Sequence, residues 1–428
     1  MPEDQAEDQT INIGPWPLGA NTKAKETALP DGALRQAVNV DLDDAGWPER
    51  RKGRTERIAG LTNAHSLWSD GERAFFITGG VLKQVFVGDW STIDIVSGLH
   101  STNHASYDSV NGRVFYSNGV DTGIIEKDGS HSPWGVEDPG QPVVTALSGT
   151  GMSMKAGRYQ VAMVFVDANR QESGSTLAAV IDVAEGEVIQ LSNIPQGGAK
   201  IRVFVTEPNG TILLQHAEIP LAVSSYMITS TVKGRQLETQ FMQKPPAGQI
   251  VRHYRGRNYI AIDNVLVHTE AERYGLYRPL DNYFPAFPER ITIVEPTLDG
   301  LFVVSDQTYY IHGNDPANMT VMVAYDQGGV EGTGCRVSSK QFNLEGAAGK
   351  VAYWFSDKGG VIGLPGGLVQ PVMEERVGVK EYSRGASMFR EENGISQLVT
   401  SLSGEGSASV ANATDSVVLE VRQNGITP

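Results

Sequence analysis

Acidic and basic side chains are segregated within one short stretch, residues 39–54, NVDLDDAGWPERRKGR. Three carboxylates come first and four cations follow: Asp41, Asp43 and Asp44, then Arg50, Arg51, Lys52 and Arg54. Clustered carboxylates are typical of a calcium loop, and clustered cations are typical of a phosphate contact. A stretch with both signs can also dock on a partner surface that carries both signs. These three interpretations imply different functions.

The spacing of the carboxylates argues against calcium. Counted from Asp41, the third and sixth positions hold Asp43 and Gly46, as in an EF-hand loop. The fifth position, which needs an oxygen ligand, holds Ala45, and the twelfth, which needs a bidentate glutamate, holds Lys52. We therefore expect no calcium site here.

No complete catalytic or metal-binding motif is found elsewhere in the sequence. The glycine-rich GGVEGTG (328–334) lacks the ending of a P-loop, and the single cysteine, Cys335, has no adjacent histidine. The eight histidines lack zinc-ligand spacing, and no nucleophile elbow or distinctive carboxylate pair occurs. We therefore expect a protein that is not an enzyme, with no cofactor, no metal and no catalytic residues.

The composition favours an acidic β-protein with many turns. The chain has 428 residues, 48 glycines and a formal net charge of −15. This charge argues against a dedicated nucleic-acid binder, although an acidic wall lets DNA pass without retaining it. A single cysteine excludes an internal disulfide framework. The polar start MPEDQAEDQT predicts no signal peptide, and the absence of a long apolar run predicts no membrane span.

A pattern of short strands and glycine-containing turns recurs from residue 64 onward. Its turn glycines are Gly71, Gly112, Gly256, Gly300, Gly360 and Gly394. Several neighbouring copies are about 40 residues apart, which is the length of one four-stranded blade. The pattern predicts an all-β fold, a β-propeller of five or six blades, with a tandem of β-sandwiches as the alternative.

A region without this pattern separates the second copy from the third. Linker-like SPWGVEDPGQP (132–142) and KPPAGQ (244–249) bracket about 100 residues of strand pattern, the size of one sandwich. Within it, YQVAMVFVDANRQES and KIRVFVTEPNG resemble strands of fibronectin type III domains. We therefore expect an inserted β-sandwich of the fibronectin type III or immunoglobulin-like kind. The predicted domains are an extended N-terminal docking arm (1–55), the first propeller blades (56–139), the sandwich (140–246) and the remaining blades (247–428).

Residues 1–55 contain too few apolar side chains to build a core of their own. Only residues 31–38 have a helical pattern, with Asp31 as the expected N-cap. In a docking arm, a buried aromatic supplies most of the affinity, while charges set approach and register. The predicted interface residues are Trp16, Leu29, Trp47, Arg50, Arg51 and Arg54. The alternative is that the segment completes one of the protein's own blades.

Two regions resemble proteins of tailed-phage virions. Asn39, Val40, Asp41, Gly46, Arg51 and Gly53 match a line of the form Asn-Val-Asp … Gly … Arg-x-Gly that precedes a propeller in those proteins. LDGLFVVSDQTYYIHGND, GGVEGTGCRVSS and VAYWFSDKGGVIGLPGGLVQPV resemble the propeller of tail-nozzle proteins of short-tailed double-stranded DNA phages. The resemblance covers residues 11–60 and 291–375.

The resemblance implies a structural protein of the virion tail, made in the host cytoplasm. It implies a homo-oligomeric ring around the DNA channel that contacts other tail proteins such as an adaptor, fibre or spike. DNA would pass through without sequence-specific binding. Two alternatives stay open: a glycan-acting or glycan-binding propeller enzyme with an accessory sandwich module, and a solitary adhesion or receptor-binding protein.

Overall fold

The structure is a computed structural model. It describes residues 14–35, 40–43, 45–50, 53, 55–149, 154–231, 234–281, 283–342, 349–372, 374, 382–392, 395–404 and 417–422. Over these ranges the secondary structure consists of β-strands and short 3-10 turns, without an α-helix. None of the helical segments in the described ranges has the length and apolar character needed to cross a membrane. The chain divides into two compact units, Met1–Gly60 with Thr292–Gly313 and Met319–Pro428, and Leu61–Ile291 with Asn314–Asn318.

The first unit begins with four very short strands. These are β1 (Gly19–Ala20), β2 (Ala33–Leu34), β3 (Val40–Leu42) and β4 (Pro48–Arg50). Strand β1 pairs with β2 in parallel, and β3 pairs with β4 in an antiparallel hairpin. The predicted helix over 31–38 is wrong where the chain is described, because Gly32 adopts φ 81° and turns the chain into β2. Glycine reaches this left-handed conformation without strain, and it interrupts a helix.

The second unit starts with two four-stranded antiparallel sheets, each in sequence order. They comprise β5 (His65–Ser69), β6 (Ala74–Thr78), β7 (Val81–Val85), β8 (Thr92–Ser97), β9 (Ser106–Val110), β10 (Arg113–Ser117), β11 (Thr122–Ile125) and β12 (His131–Ser132). A two-residue turn joins β9 to β10, with Asn111 at φ 54° and Gly112 at φ 75°, the conformation that matches strand twist. Phe75 and Leu82 of the first sheet pack against Tyr107 and Val114 of the second.

A two-sheet sandwich follows. Its strands are β13 (Val143–Ser148), β14 (Gly157–Val166), β15 (Ala179–Val183), β16 (Glu187–Ser192), β17 (Lys200–Val205), β18 (Leu214–Pro220) and β19 (Ser225–Ile228). One sheet has the order β13-β16-β19 and the other β15-β14-β17-β18. These pairings match the B–E and C–F–G pairs of an immunoglobulin-type sandwich, but β19 takes the free edge of β16 instead of an A strand beside β13. The inner faces meet in a core that includes Val161, Ile189 and Val203.

Outside the sandwich, the second unit has a third four-stranded sheet, which packs on the second one although the sandwich separates the two in sequence. Its strands are β20 (Ile250–Tyr254), β21 (Arg257–Ile262), β22 (Val265–Glu270) and β23 (Arg273–Tyr277). Phe115 and Trp134 share a buried cluster with Val251 and Tyr274, and Trp134 Nε1 donates to the Tyr274 carbonyl at 2.6 Å. The second and third sheets therefore stack as consecutive sheets with the sandwich inserted between them.

The remainder of the first unit contains two more four-stranded sheets and one three-stranded sheet. The strands are β24 (Ile293–Pro296), β25 (Gly300–Val304), β26 (Thr308–His312), β27 (Thr320–Tyr325), β28 (Cys335–Ser338), β29 (Lys350–Ser356), β30 (Gly359–Gly363), β31 (Val369–Pro371), β32 (Arg384–Glu392), β33 (Ile395–Ser403) and β34 (Val417–Arg422). Phe302 packs against Trp354 across the first pair of sheets, and Tyr353 packs with Leu398 across the second pair.

Some strands of these sheets are buried on both faces, unlike the strands of a simple sandwich, which have one face in solvent. Every residue of β25 is buried, and so are six consecutive residues of β29 after Lys350. A sheet with one wet face would alternate between buried and exposed residues. Five four-stranded meanders, which pack on one another within each unit, make the fold all-β and propeller-like, as the sequence predicts. The domain limits at 55/56, 139/140 and 246/247 stay predictions.

Candidate functional site

The turn that carries Trp47 is held by its own backbone and by Asp43. One Asp43 carboxylate oxygen accepts the N–H groups of Ala45 at 2.9 Å and Trp47 at 2.7 Å, and Asp43 N donates to the Trp47 carbonyl. This is the local bonding expected of an aspartate in a turn. The Asp43 carboxylate therefore stabilises the β3–β4 hairpin.

The predicted anchors Trp16 and Trp47 lie together around Gly14. A Cβ atom added to Gly14 would lie 3.2 Å from the Trp16 ring and 3.1 Å from the Trp47 ring. Trp16 N donates to the Gly46 carbonyl at 2.8 Å. Gly46 has φ 84°, and a Cβ there would lie 2.5 Å from Pro17 N. Only glycine allows this close approach, so the two indoles are positioned by backbone packing.

The other predicted interface residues are less closely organised. Leu29 follows a 3-10 turn, Glu26–Ala28, and is half-buried. Arg50 is exposed, and within the described ranges its guanidinium has no hydrogen-bond or ion-pair partner. Arg51 and Arg54 lie outside the described residues.

The strands of the arm pair with one another. Among the described strands, β1 joins only β2 and β3 joins only β4, and neither pair extends a four-stranded sheet. Within the first unit, Lys23 Nζ of the arm donates to the Glu374 carbonyl. Trp47 is 48% exposed and Leu18 is 40% exposed. The described part of the arm thus presents these two apolar side chains to solvent.

A second site, not singled out by the sequence, is a polar cleft of about 550 Å³ within the second unit. The blade sheets and the sandwich both contribute to its walls. Its lining includes three glutamates and five arginines, the latter being Arg113, Arg170, Arg202, Arg235 and Arg273. The arginines outnumber the glutamates, so the lining carries a net positive charge, although the whole chain has a net charge of −15.

The blade side of the cleft is a network of paired side chains. Arg113 on β10 makes two hydrogen bonds to Glu126, at 2.8 and 3.1 Å. Burial raises the pKa of Glu126, but the hydrogen bonds from Arg113 and Ser132 together with the charge of Arg113 outweigh it and hold the pKa below its usual range. The Tyr274 hydroxyl donates to Glu272 at 3.1 Å. Burial and this carboxylate raise the pKa of Tyr274 to about 12, so the hydroxyl stays protonated.

The sandwich side is organised around Glu172. Its carboxylate accepts from Arg202 at 2.6 Å and also from Arg235. Arg202 makes a second ion pair, to Glu218, at 2.9 Å. Each guanidinium is planar and carries five N–H donors. These ion pairs therefore fix the orientation of the guanidinium groups and leave further N–H groups available to hydrogen-bond a ligand.

Two groups of the lining have no partner within the described part of the chain. Arg170 sits in the turn after β14 at φ 63°, where its N–H donates to the Asp167 carbonyl, and its exposed guanidinium is unpaired. Thr239 is only 1% exposed, and its Oγ1 has no hydrogen-bond partner. A buried polar atom without a partner is uncommon in folded proteins and needs an explanation.

Sequence reasoning missed the cleft because its residues are dispersed. They come from β10, β17, β23, the turns after β11, β14 and β22, and the segment between β19 and β20. In the sequence, the segment DANRQ stands out only as part of a stretch that resembles fibronectin type III strands, and no spacing rule connects Arg170 to Thr239. In the described ranges, no group of three or more His, Cys, Asp or Glu side chains is placed to hold a metal ion.

Comparison with known proteins adds no family. No protein-family model and no curated protein matches this sequence. Solved structures with a similar arrangement include BBS1N from a complex with ARL6DN (11% identity, TM-score 0.33, covering 86% of this chain and 94% of that chain). Others are the N-terminal domain of Nup159 (9%, 0.30, 78% and 72%) and the AfRom2 CNH domain (8%, 0.28, 84% and 96%). All three TM-scores are below 0.5, so the description of the fold rests on this chain's own sheet topology.

Proposed function

We propose that this chain is a structural, non-enzymatic component of a phage tail. In this role it forms a ring of nozzle or tail-hub type around the DNA channel and attaches adaptor, fibre or spike proteins. It acts in the virion after synthesis in the host cytoplasm. The resemblance of residues 11–60 and 291–375 to virion proteins motivates the proposal.

The observation that carries the docking part of the proposal is the arrangement of the arm. Its described strands pair with one another, and Trp47 remains 48% exposed beside Trp16. An exposed aromatic that is positioned by a tight backbone turn is the kind of anchor that dominates binding at protein interfaces. The exposed Arg50 next to it suits the rim of such an interface, where charges set approach and register.

Complementation of a phage that lacks this gene tests the proposal. We expect Trp47→Ala to reduce incorporation into particles by about tenfold or more, because truncating an interface anchor costs roughly 2 kcal/mol. Arg50→Ala is the matched control on the same hairpin, and its effect should stay within about threefold. Quantitative mass spectrometry of purified particles gives the incorporation.

Deletion of residues 1–55 should abolish incorporation while the rest of the protein still unfolds cooperatively. If this truncated protein assembles into infectious particles, the docking role of the arm is wrong. If the truncation instead prevents folding, the arm completes the protein's own fold, which was the alternative. Portal, adaptor and capsid genes beside the coding gene would support a tail protein over a glycan-acting enzyme.

A further inference from the structure

We propose that the arginine-lined cleft of the second unit binds a saccharide that carries a carboxylate. The inference goes beyond the proposed tail role and does not depend on it. The cleft combines an unpaired cation, an unpartnered buried hydroxyl and a lining of polar side chains. None of these features is required by the stacking of the sheets.

The charge of the cleft favours a ligand with a single carboxylate. Four of its five arginines are already paired with glutamates, whereas the guanidinium of Arg170 has no partner in the described part of the chain. The planar guanidinium fork matches a carboxylate through two parallel hydrogen bonds. A ligand with several negative charges would also meet the carboxylates of Glu126, Glu172 and Glu272, which line the same cleft.

The uncharged polar groups favour hydroxyl-rich ligands. The Thr239 hydroxyl can donate and accept, the Asn169 and Gln171 amides can do both, and the Glu272 carboxylate accepts. Sugar hydroxyls also donate and accept, so they can satisfy all of these groups at once. The apolar lining residues Tyr274 and Leu276 are 8% and 5% exposed, which leaves little apolar surface for a hydrophobic ligand.

The position of Thr239 gives a direct reason to expect a ligand. Thr239 lines the cleft, and its Oγ1 is shielded from solvent and lacks a partner in the described part of the chain. A hydroxyl in this state loses its water hydrogen bonds and gains nothing in return in the free protein. Rotation about the Thr239 Cα–Cβ bond to another staggered rotamer would turn the hydroxyl toward the cleft, where a ligand hydroxyl or carboxylate would restore the missing bond. The volume of about 550 Å³ accommodates two or three sugar units, within the usual range of ligand clefts.

Titration calorimetry and ligand-detected NMR with defined probes test the inference. The acidic probes are glucuronosyl-xylose and 3′-sialyllactose, and the matched neutral probes are xylobiose and lactose. Inorganic phosphate and a triglutamate peptide test the other anions. We expect at least one acidic saccharide to bind with millimolar or tighter affinity, and each neutral counterpart to bind at least about tenfold more weakly, because the charged hydrogen bonds are lost.

Two substitutions with matched controls connect binding to the cleft. Arg170→Asn removes the charge but keeps a residue that tolerates positive φ, and Thr239→Val removes only the hydroxyl. Each should weaken binding by about tenfold. The controls are Arg50→Asn, another exposed arginine, and Thr176→Val, which does not line the cleft. Like the residues that they match, Arg50 and the buried Thr176 Oγ1 have no partner among the described residues. Neither control should change binding.

The stability of the free protein provides a second readout. Thr239→Val should leave the melting temperature unchanged or raise it, because the hydroxyl that it removes makes no hydrogen bond. The inference is overturned if no acidic saccharide binds, if phosphate or triglutamate binds better than the acidic saccharides, or if neutral and acidic saccharides bind alike. It is also overturned if binding survives both cleft substitutions.

Discussion

At the scale of single residues, the burial of the His268 ring has a consequence for stability that can be measured. His268 on β22 is 5% exposed and its ring packs between Tyr259 and Phe284, with centroid distances of 5.7 and 5.2 Å. Its Nδ1 lies 3.1 Å from the Thr269 carbonyl, whereas its Nε2 has no partner in the described part of the chain. Burial lowers the pKa of His268, and the contact with the Thr269 carbonyl only partly opposes this.

His268 should therefore make the protein sensitive to mild acid. Above the unfolded-state pKa of about 6.5 the ring is neutral in both states, so folding loses nothing. As the pH falls below 6.5, the unfolded state binds a proton that the folded state resists, and stability decreases by up to roughly 1.4 kcal/mol per pH unit for one proton. His131 and His216 have pKa values lowered by burial as well, so they add to the slope.

The substitution His268→Phe keeps the ring contacts and removes the titration. The Thr269 carbonyl retains the hydrogen bond that it accepts from Arg257 at 2.8 Å. We expect the variant to match the parent at pH 7.5 and to lose less stability between pH 6.5 and 5.5. Urea unfolding at the three pH values measures the slopes. Parallel decline of the two proteins would show that His268 does not carry the effect.

At the scale of elements, the ends of the sandwich lie side by side. A Cβ atom added to Gly135 would lie 2.9 Å from Lys244 Cβ and 2.6 Å from the Gly275 carbonyl. Lys244 also makes an ion pair with Glu137. The chain leaves and re-enters the stacked sheets at one place, while the cluster around Trp134 and Tyr274 joins those sheets directly.

Removal of residues 138–242 should therefore leave a folded protein. A short Gly/Ser linker can bridge the adjacent ends, and the buried contacts between the second and third sheets do not involve the excised residues. We expect a single cooperative thermal transition and a far-ultraviolet circular dichroism spectrum of β type. Cleft function would be lost, because Arg170, Arg202 and Thr239 lie in the excised segment. A non-cooperative transition would show that the sandwich is needed for the sheets to stack.

At the scale of the whole molecule, the acidic charge is the property that bears on the proposed passage of DNA. A net charge of −15 disfavours retention of DNA, which is the property that a channel wall needs. Propeller-type sheets protect their edges by stacking, so loops and arms are free to make contacts with neighbours.

The proposed ring predicts the number of copies of this chain in each tail. Identical chains that surround a channel meet through head-to-tail contacts that close by rotation, so several copies must be present in each tail. We expect mass photometry and quantitative gel analysis of purified tails to give a fixed number of copies greater than two. The isolated chain can remain monomeric, because the arm lacks its partner. A single copy per tail would exclude the ring.

The sequence by itself determined the all-β class and the repeated short strands, whereas the limits of the arm and of the insertion stay predictions. Glycine turns such as Asn111-Gly112 and apolar runs such as that of β25 are local signals, because turn conformation and strand period depend on neighbouring residues. The helix predicted to begin at Asp31 is wrong where the chain is described, because Gly32 adopts a left-handed conformation. Only the tertiary structure decided that β19 would join β16, that Trp16 and Trp47 would enclose Gly14, and that Arg170 and Thr239 would line one cleft. These contacts join residues far apart in the chain, and they depend on how sheets stack, which no local pattern specifies.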